Sequence, residues 1–296
     1  MIPSISIENL LNENDTKKSF LIDSFDNMPE PENMVYPHKH NFYEILWILE
    51  GKSNQSIDYK DYKISSNTLF FISPGQLHLF EKWDNIKAYC ILFNEDFFLQ
   101  NFSNKNILFE LSYLDNLYEN PYLELNDTDK KNIEPIVNLL LQENQEEKIN
   151  EDSIQALLLV LLRRIQKIAS SHTKVKNNNT HLVILKQFKK LIEENYHKKL
   201  SIEAYASMLS ITAYQLNKIT KEICNKTASS IINEQIILEA QSLLNFSELN
   251  ISQIADKLGF EDSSYFARFF KKYTNKTPLE FKSKFEKKYP KGSLLS

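Results

Sequence analysis

The chain is short of the residues that several kinds of protein chemistry require. Four glycines in 296 residues leave no glycine-rich loop able to cradle a phosphate. Two cysteines, Cys90 and Cys224, lie far apart and lack C-x-x-C spacing, so neither a disulfide framework nor a zinc knuckle is expected. Arginine occurs only at Arg163, Arg164 and Arg268. No apolar run approaches the roughly 20 residues of a membrane span, and Met1 to Asp15 lacks the basic start and apolar stretch of a signal peptide. A cytoplasmic location is therefore expected. No nucleophile–base–orienter set or paired-carboxylate motif stands out, and no catalytic residues, cofactor or metal are assigned. What remains is a globular composition, 42% hydrophobic and 25% charged, in a length suited to about two domains.

The net charge of −4 hides an asymmetry. Residues 181–296 hold 18 Lys+Arg against 12 Asp+Glu, whereas residues 1–180 hold 17 against 27. A basic C-terminal part joined to an acidic N-terminal one suits a phosphate-binding module attached to a region that does not touch nucleic acid. Any guanidinium contact in the basic part must come from Arg268.

Between Phe20 and Phe93 the pattern predicts short strands at Phe20–Phe25, Glu44–Leu49, Gln55–Tyr59, Thr68–Ile72, His78–Glu81 and Lys87–Phe93, separated by turn residues. So many short strands suggest a small barrel or jelly roll. After Asn94 the period becomes helical, with Ile133 to Leu141 and Ile154 to Ile168 reading as two amphipathic helices. Their leucine-rich faces suffice to cover the barrel and to meet a second copy, so a homodimer is expected, with Leu158 and Leu162 in the contact. The polar, aperiodic stretch 170–180 reads as a linker, which gives an N-terminal domain of 1–169 and a C-terminal domain of 181–296.

The C-terminal part repeats itself. Ser201 to Thr227 aligns with Ile251 to Thr277: Ala206 matches Ala255 at an offset of 49, and Leu216/Phe266, Lys218/Arg268, Lys221/Lys271 and Asn225-Lys226-Thr227/Asn275-Lys276-Thr277 match at 50. One extra residue in the second copy's turn accounts for the shift. Each copy, about 201–224 and 251–273, reads as a helix, a tight turn and a second helix. In the second copy Ile254, Ala255 and Leu258 face inward, Gly259 suits the turn, Phe266, Phe269 and Phe270 pin the second helix, and Asp262 or Ser263 caps it. The outer side of such a helix is what a major groove receives.

The segment Ile251 to Phe281, ISQIADKLGFEDSSYFARFFKKYTNKTPLEF, resembles the signature of the AraC family of bacterial transcription regulators. The resemblance implies an all-α DNA-binding domain of two helix-turn-helix units joined by a long helix, here Ala228 to Leu244. It also implies that Tyr214, Gln215, Asn217 and Lys218 in the first unit, and Ser263, Ser264, Ala267, Arg268, Lys271 and Lys272 in the second, face double-stranded DNA. This chain departs from the pattern at Ile236, where an Arg is usual, at Thr220, where a Phe is usual, and at Ala228, where the second copy has Pro278.

The residues His38-Lys39-His40-Asn41-Phe42-Tyr43-Glu44, then Gly51 and Pro74-Gly75-Gln76-Leu77-His78, resemble the two motifs of the cupin barrel. Glu32 and Lys82 stand where the full motifs have Gly and Asn. The fold expected is thus α+β in two domains, a cupin-like β-barrel with two amphipathic helices followed by the all-α domain. His38, His40, Glu44, Trp47 and His78 are expected near the barrel mouth, His38, His40 and Glu44 on one face of an unbroken strand, around a small-molecule effector. Three readings stay open: an effector-controlled regulator that is no enzyme, a metal-dependent cupin enzyme fused to a DNA-binding domain, and a ligand-independent regulator. RNA polymerase is a candidate partner; a membrane is not.

Overall fold

The computed structural model describes residues 4–10, 19–27, 37–80, 85–114, 121–146, 148–172 and 179–289. Glu32, Lys82 and Glu81, and residues 173–178 of the expected linker, lie outside these. The chain divides into two compact units, Pro3–Lys176 and Asn177–Ser296.

The first unit holds β1 (Ser4–Ile5), β2 (Phe20–Ser24), β3 (Lys39–His40), β4 (Tyr43–Glu50), β5 (Ser53–Ile57), β6 (Lys60–Ile64), β7 (Thr68–Ile72), β8 (His78–Phe80), β9 (Lys87–Phe93) and β10 (Tyr122–Glu124). Among its described residues are also four α-helices, α1 (Glu95–Leu99), α2 (Ile107–Glu110), α3 (Asp127–Gln145) and α4 (Glu151–His172), and 3-10 turns at Ile7–Leu10, Phe25–Asn27 and Ser112–Leu114. A five-stranded sheet, β10-β7-β4-β9-β2, is antiparallel throughout; a three-stranded sheet, β6-β5-β8, faces it. Side-chain alternation on β4 divides the core in two. Leu46 and Ile48 point into the barrel, where they join Ile72 and Leu92 of the large sheet with Ile57 and Phe80 of the small one. Tyr43, Ile45 and Trp47 point the other way, against α3 and α4. The capping box of Asn126 with Asp129 starts α3.

This packing corrects one expectation. Leu158 and Leu162 are fully buried within the chain's own core and are not available to a partner. The large apolar side chains that α3 and α4 leave exposed are Leu139 and Val160. Helix α4 also runs through residues 170–172, read from sequence as linker.

The second unit is helical: α5 (Asn179–Asn195), a single 3-10 turn at Tyr196–Lys198, α6 (Ile202–Met208), α7 (Ala213–Cys224), α8 (Ala228–Phe246), α9 (Ile251–Lys257), α10 (Ser263–Thr274) and α11 (Pro278–Lys288). Helices α6/α7 and α9/α10 are the two helix-turn-helix units, and α8 joins them. Among the described residues no helix is long and apolar enough to cross a membrane.

Candidate functional site

In the second unit, each outer helix begins on a side-chain cap. The Thr212 hydroxyl accepts the Gln215 N–H at 3.1 Å, and the Asp262 carboxylate accepts the Tyr265 N–H at 2.7 Å. From these caps the same stripe unrolls twice at four- and three-residue steps: Tyr214, Lys218 and Lys221 on α7, and Ser264, Arg268 and Lys271 on α10, all exposed. Tyr214 is 79% exposed, a large apolar ring held in water at the start of α7. Lys272 is exposed beside the stripe, whereas Ser263 and Ala267 are partly covered.

Two expected contacts are already committed inside the protein. Gln215 Oε1 accepts from the Thr212 N–H at 2.8 Å as the other half of the capping box. Asn217 is half-buried: its Oδ1 accepts the Ala228 N–H at 3.1 Å, and its amide donates to the Ala213 carbonyl at 3.2 Å. One N–H and one lone pair of that carboxamide are thereby used within the fold. The sequence reading also passed over Tyr265, at the place Gln215 holds in the first copy. It is 51% exposed, leans on Phe260, and has the Arg268 guanidinium 5.9 Å from its ring. In the sequence it stands inside the Ser264-Tyr265-Phe266 element and gives no separate signal.

The second helix-turn-helix also meets the segment that leads into the first. Gly259 adopts φ +75, and a Cβ there would stand 2.2 Å from the His197 carbonyl oxygen. Beside it the Lys199 ammonium sits 4.0 Å from the centroid of the Phe260 ring, and burial lowers its pKa. The second unit's turn therefore rests on the segment that precedes the first unit.

In the barrel, His38, His40, Glu44 and His78 do converge, all buried. They do so on a broken strand, since β3 ends at His40 and β4 starts at Tyr43. An antiparallel bridge ties His38 to His78 by backbone hydrogen bonds of 3.0 and 2.9 Å, with ring centroids 4.4 Å apart. His40 stacks on Phe42. Glu44 Oε2 lies 3.2 Å from His40 Nε2 and 3.8 Å from His78 Nε2. The closer approach lacks the angle of a hydrogen bond, and neither nitrogen of His40 or His78 has a hydrogen-bond partner. Burial, and then the neighbouring His38 and His40, push the pKa of His78 well below its ordinary value, so it is neutral at pH 7. Donor atoms of His40, Glu44 and His78 all lie within 4.8 Å of one another, an imidazole–carboxylate set suited to a divalent transition metal.

Trp47 does not belong to this cluster. It sits three residues past Glu44 on β4, so alternation sends it to the helix-covered face, where it is fully buried. The residue missed in the interior is Gln55, 1% exposed, its carboxamide without a hydrogen-bond partner at either end. On β5 it is opposite Phe80, and its neighbour Ile57 is opposite His78. Only the pairing of β5 with β8 reveals that proximity.

Residues 30–174 match a family model described as an AraC-like ligand binding domain, and residues 205–284 match one described as a helix-turn-helix domain. The chain is 22% identical over 245 residues to the HTH-type transcriptional activator RhaS of Escherichia coli, covering 83% of this chain and 86% of that one. Among solved structures it is similar to ToxT from Vibrio cholerae strain SCE256 with unsaturated fatty acid bound (18% identity, 92% of this chain and 97% of that one, TM-score 0.40). It is also similar to a transcriptional regulator with an AraC-type DNA-binding domain from Chromobacterium violaceum (24% identity, 38% and 99%, TM-score 0.35).

Proposed function

From the premise that the chain belongs to the AraC family of DNA-binding transcription regulators, with its ligand-binding domain first and its helix-turn-helix domain second, we propose that α7 and α10 of one chain enter successive major grooves on one face of the duplex. The spacing would be about 10 base pairs, or 34 Å. The observation that carries this reading is the repeated exposed stripe, Tyr214–Lys218–Lys221 and Ser264–Arg268–Lys271, on the unit with the positive charge balance. Lysines at the stripe ends serve phosphates, and Arg268 alone has the fork for a guanine edge. Sequencing of fragments bound by the full chain should return a bipartite site with that spacing. Failure to select any sequence at low salt would overturn the proposal.

The barrel is the sensing part, and the protein is a cytoplasmic regulator and not an enzyme. Gln55, His40 and His78 are buried polar groups whose hydrogen-bonding atoms find no protein partner, an arrangement that costs stability unless another molecule satisfies them. His38, His40, Glu44, His78 and Gln55 form the polar side of an effector site whose apolar wall is Leu46, Ile57 and Phe80. Ligand-induced thermal shift of the purified chain tests this. A binder should lose affinity on Gln55→Leu, and its effect on DNA affinity should equal the effect of DNA on its own affinity. A binder insensitive to Gln55→Leu and His78→Ala would place the effector elsewhere.

A second reading follows from the donor set of His40, Glu44 and His78: the barrel holds a divalent metal as a structural or sensing ion. Metal analysis of protein purified without chelators should then find a stoichiometric ion that His40→Ala removes; its absence would leave the organic effector alone. Assembly as a homodimer through α3 and α4, around Leu139 and Val160, and contact with RNA polymerase complete the proposal. Sedimentation of wild type against Val160→Glu checks the dimer.

A further inference from the structure

The two helix-turn-helix units solve one backbone problem in two ways, and the difference assigns a role to Asn217. Helices α8 and α11 start identically, with a left-handed Asn (Asn225, φ 54; Asn275, φ 58) and then a capping Thr in extended conformation (Thr227, φ −77, ψ 156; Thr277, φ −69, ψ 157). The next residue is buried in both copies, Ala228 in the first and Pro278 in the second. A first-turn N–H has no partner within its own helix, and at a buried position water does not reach it. Pro278 carries no N–H and needs no acceptor, and the residue facing it by the repeat is Ala267, which offers none. Ala228 has an N–H, and Asn217, at Ala267's place in the repeat, accepts it at 3.1 Å. The pairs Asn217/Ala228 and Ala267/Pro278 are thus alternative ways of closing the same joint.

We propose that Asn217 is a positioning residue: by bridging the Ala228 N–H and the Ala213 carbonyl it sets the angle of α7 on α8, and through that angle how Tyr214 and Lys218 meet DNA. The joint itself rests on geometry alone; its consequence for DNA rests on α7 being a reading helix.

The test exchanges one solution for the other in the full chain. Ala228→Pro suits the backbone, because Thr227 already has the extended conformation that a following proline imposes. With Asn217 still present, however, the proline ring would press on Oδ1. Asn217→Ala should lower affinity for the selected site about tenfold, the scale of one buried donor left without its acceptor. Ala228→Pro alone should be at least as harmful. The double variant N217A/A228P should return to within about threefold of wild type, and its unfolding midpoint should recover in parallel.

Base-substitution profiles separate the roles. Loss of positioning should flatten discrimination at every base beneath α7 together, leave the α10 half-site untouched, and be repaired in the double variant. Relaxation at a single base pair that Ala228→Pro does not repair would make Asn217 a base reader and overturn the proposal. A lowered midpoint with an unchanged base profile would overturn it too, leaving a purely structural bond. If Tyr214→Ala and Lys218→Ala also leave the first half-site unaffected, the reading role of α7 fails, while rescue of the midpoint still decides the joint.

Discussion

The two helix-turn-helix units share a backbone plan, its helix caps and a left-handed turn, and differ in the side chains that fill it. The tight turn is left-handed at Ser210 (φ 56) in the first and at Gly259 (φ 75) in the second. The fully buried aromatic is on the first helix of one unit, Tyr205, where the other has Ile254. On the recognition helix the order reverses, buried Thr220 standing where the second unit has Phe270. Tyr205 meets Phe188 of α5 edge-on, whereas Phe270 packs on Phe266 of its own helix and Phe281 of α11. The large buried ring thus sits on the first helix of one unit and on the second helix of the other. Volume and hydrogen-bond satisfaction are properties of a pair of positions, so a departure at one can be answered at another.

The largest test of this contrast is at the turns. Gly259→Ala should destabilise the second unit by about 2 to 4 kcal/mol, because a Cβ there combines a left-handed backbone with an overlap against the His197 carbonyl. Chemical denaturation measures it. A loss below about 1 kcal/mol would mean that the seam between the units yields easily.

Next is the reading face. Arg268→Ala should cost about 1 to 3 kcal/mol in DNA affinity and relax preference at one base position, whereas Lys221→Ala should weaken all sequences alike and reduce the salt slope by about one. Titrations over site variants and salt distinguish them. Identical behaviour of the two would make both units grip the backbone alike.

Smaller effects belong to the caps. Thr212→Ala and Asp262→Ala should each lower stability by about 1 kcal/mol. Ser210→Gly should raise it by about 0.5 to 1 kcal/mol, since glycine adopts φ 56 without the penalty serine carries. A Ser210→Gly variant less stable than wild type would show that the serine side chain has a tie of its own.

Much of this architecture was legible from spacing. The strand at Thr68–Ile72, the strand at Lys87–Phe93 and both helix-turn-helix units follow from alternation, the 3.6-residue period and the internal repeat, and the start of α8 from the family resemblance. Strand β6 was not legible. The β5–β6 hairpin turns at Asp58-Tyr59 with φ 47 and 64, an arrangement usually signalled by Asn-Gly or Asp-Gly, and here by neither. Asp58 is tied by its carboxylate to the Gln76 amide and the Leu77 N–H. Such a turn is stabilised from outside itself, where a local pattern does not reach. Trp47 was misplaced for another reason. The alternation that aligns Glu44 with Leu46 and Ile48 sends Trp47 to the helix-covered face, and expecting it at the pocket set aside the parity rule.

The amino-acid sequence by itself determined the main strands of the barrel, that the C-terminal part is two copies of one basic module, and the stripe of Tyr214, Lys218, Ser264 and Arg268 that its helices carry outward. These depend on neighbours within a few residues, where backbone geometry sets the period. Only the tertiary structure decided which polar atoms are already spoken for. Asn217 faces Ala228 across 11 positions, and Gln55 comes near His78 only because β5 pairs with β8. An amide's freedom to bind DNA or an effector is what remains after such distant partners are counted, because each donor and acceptor is used within the fold before it is offered outside it.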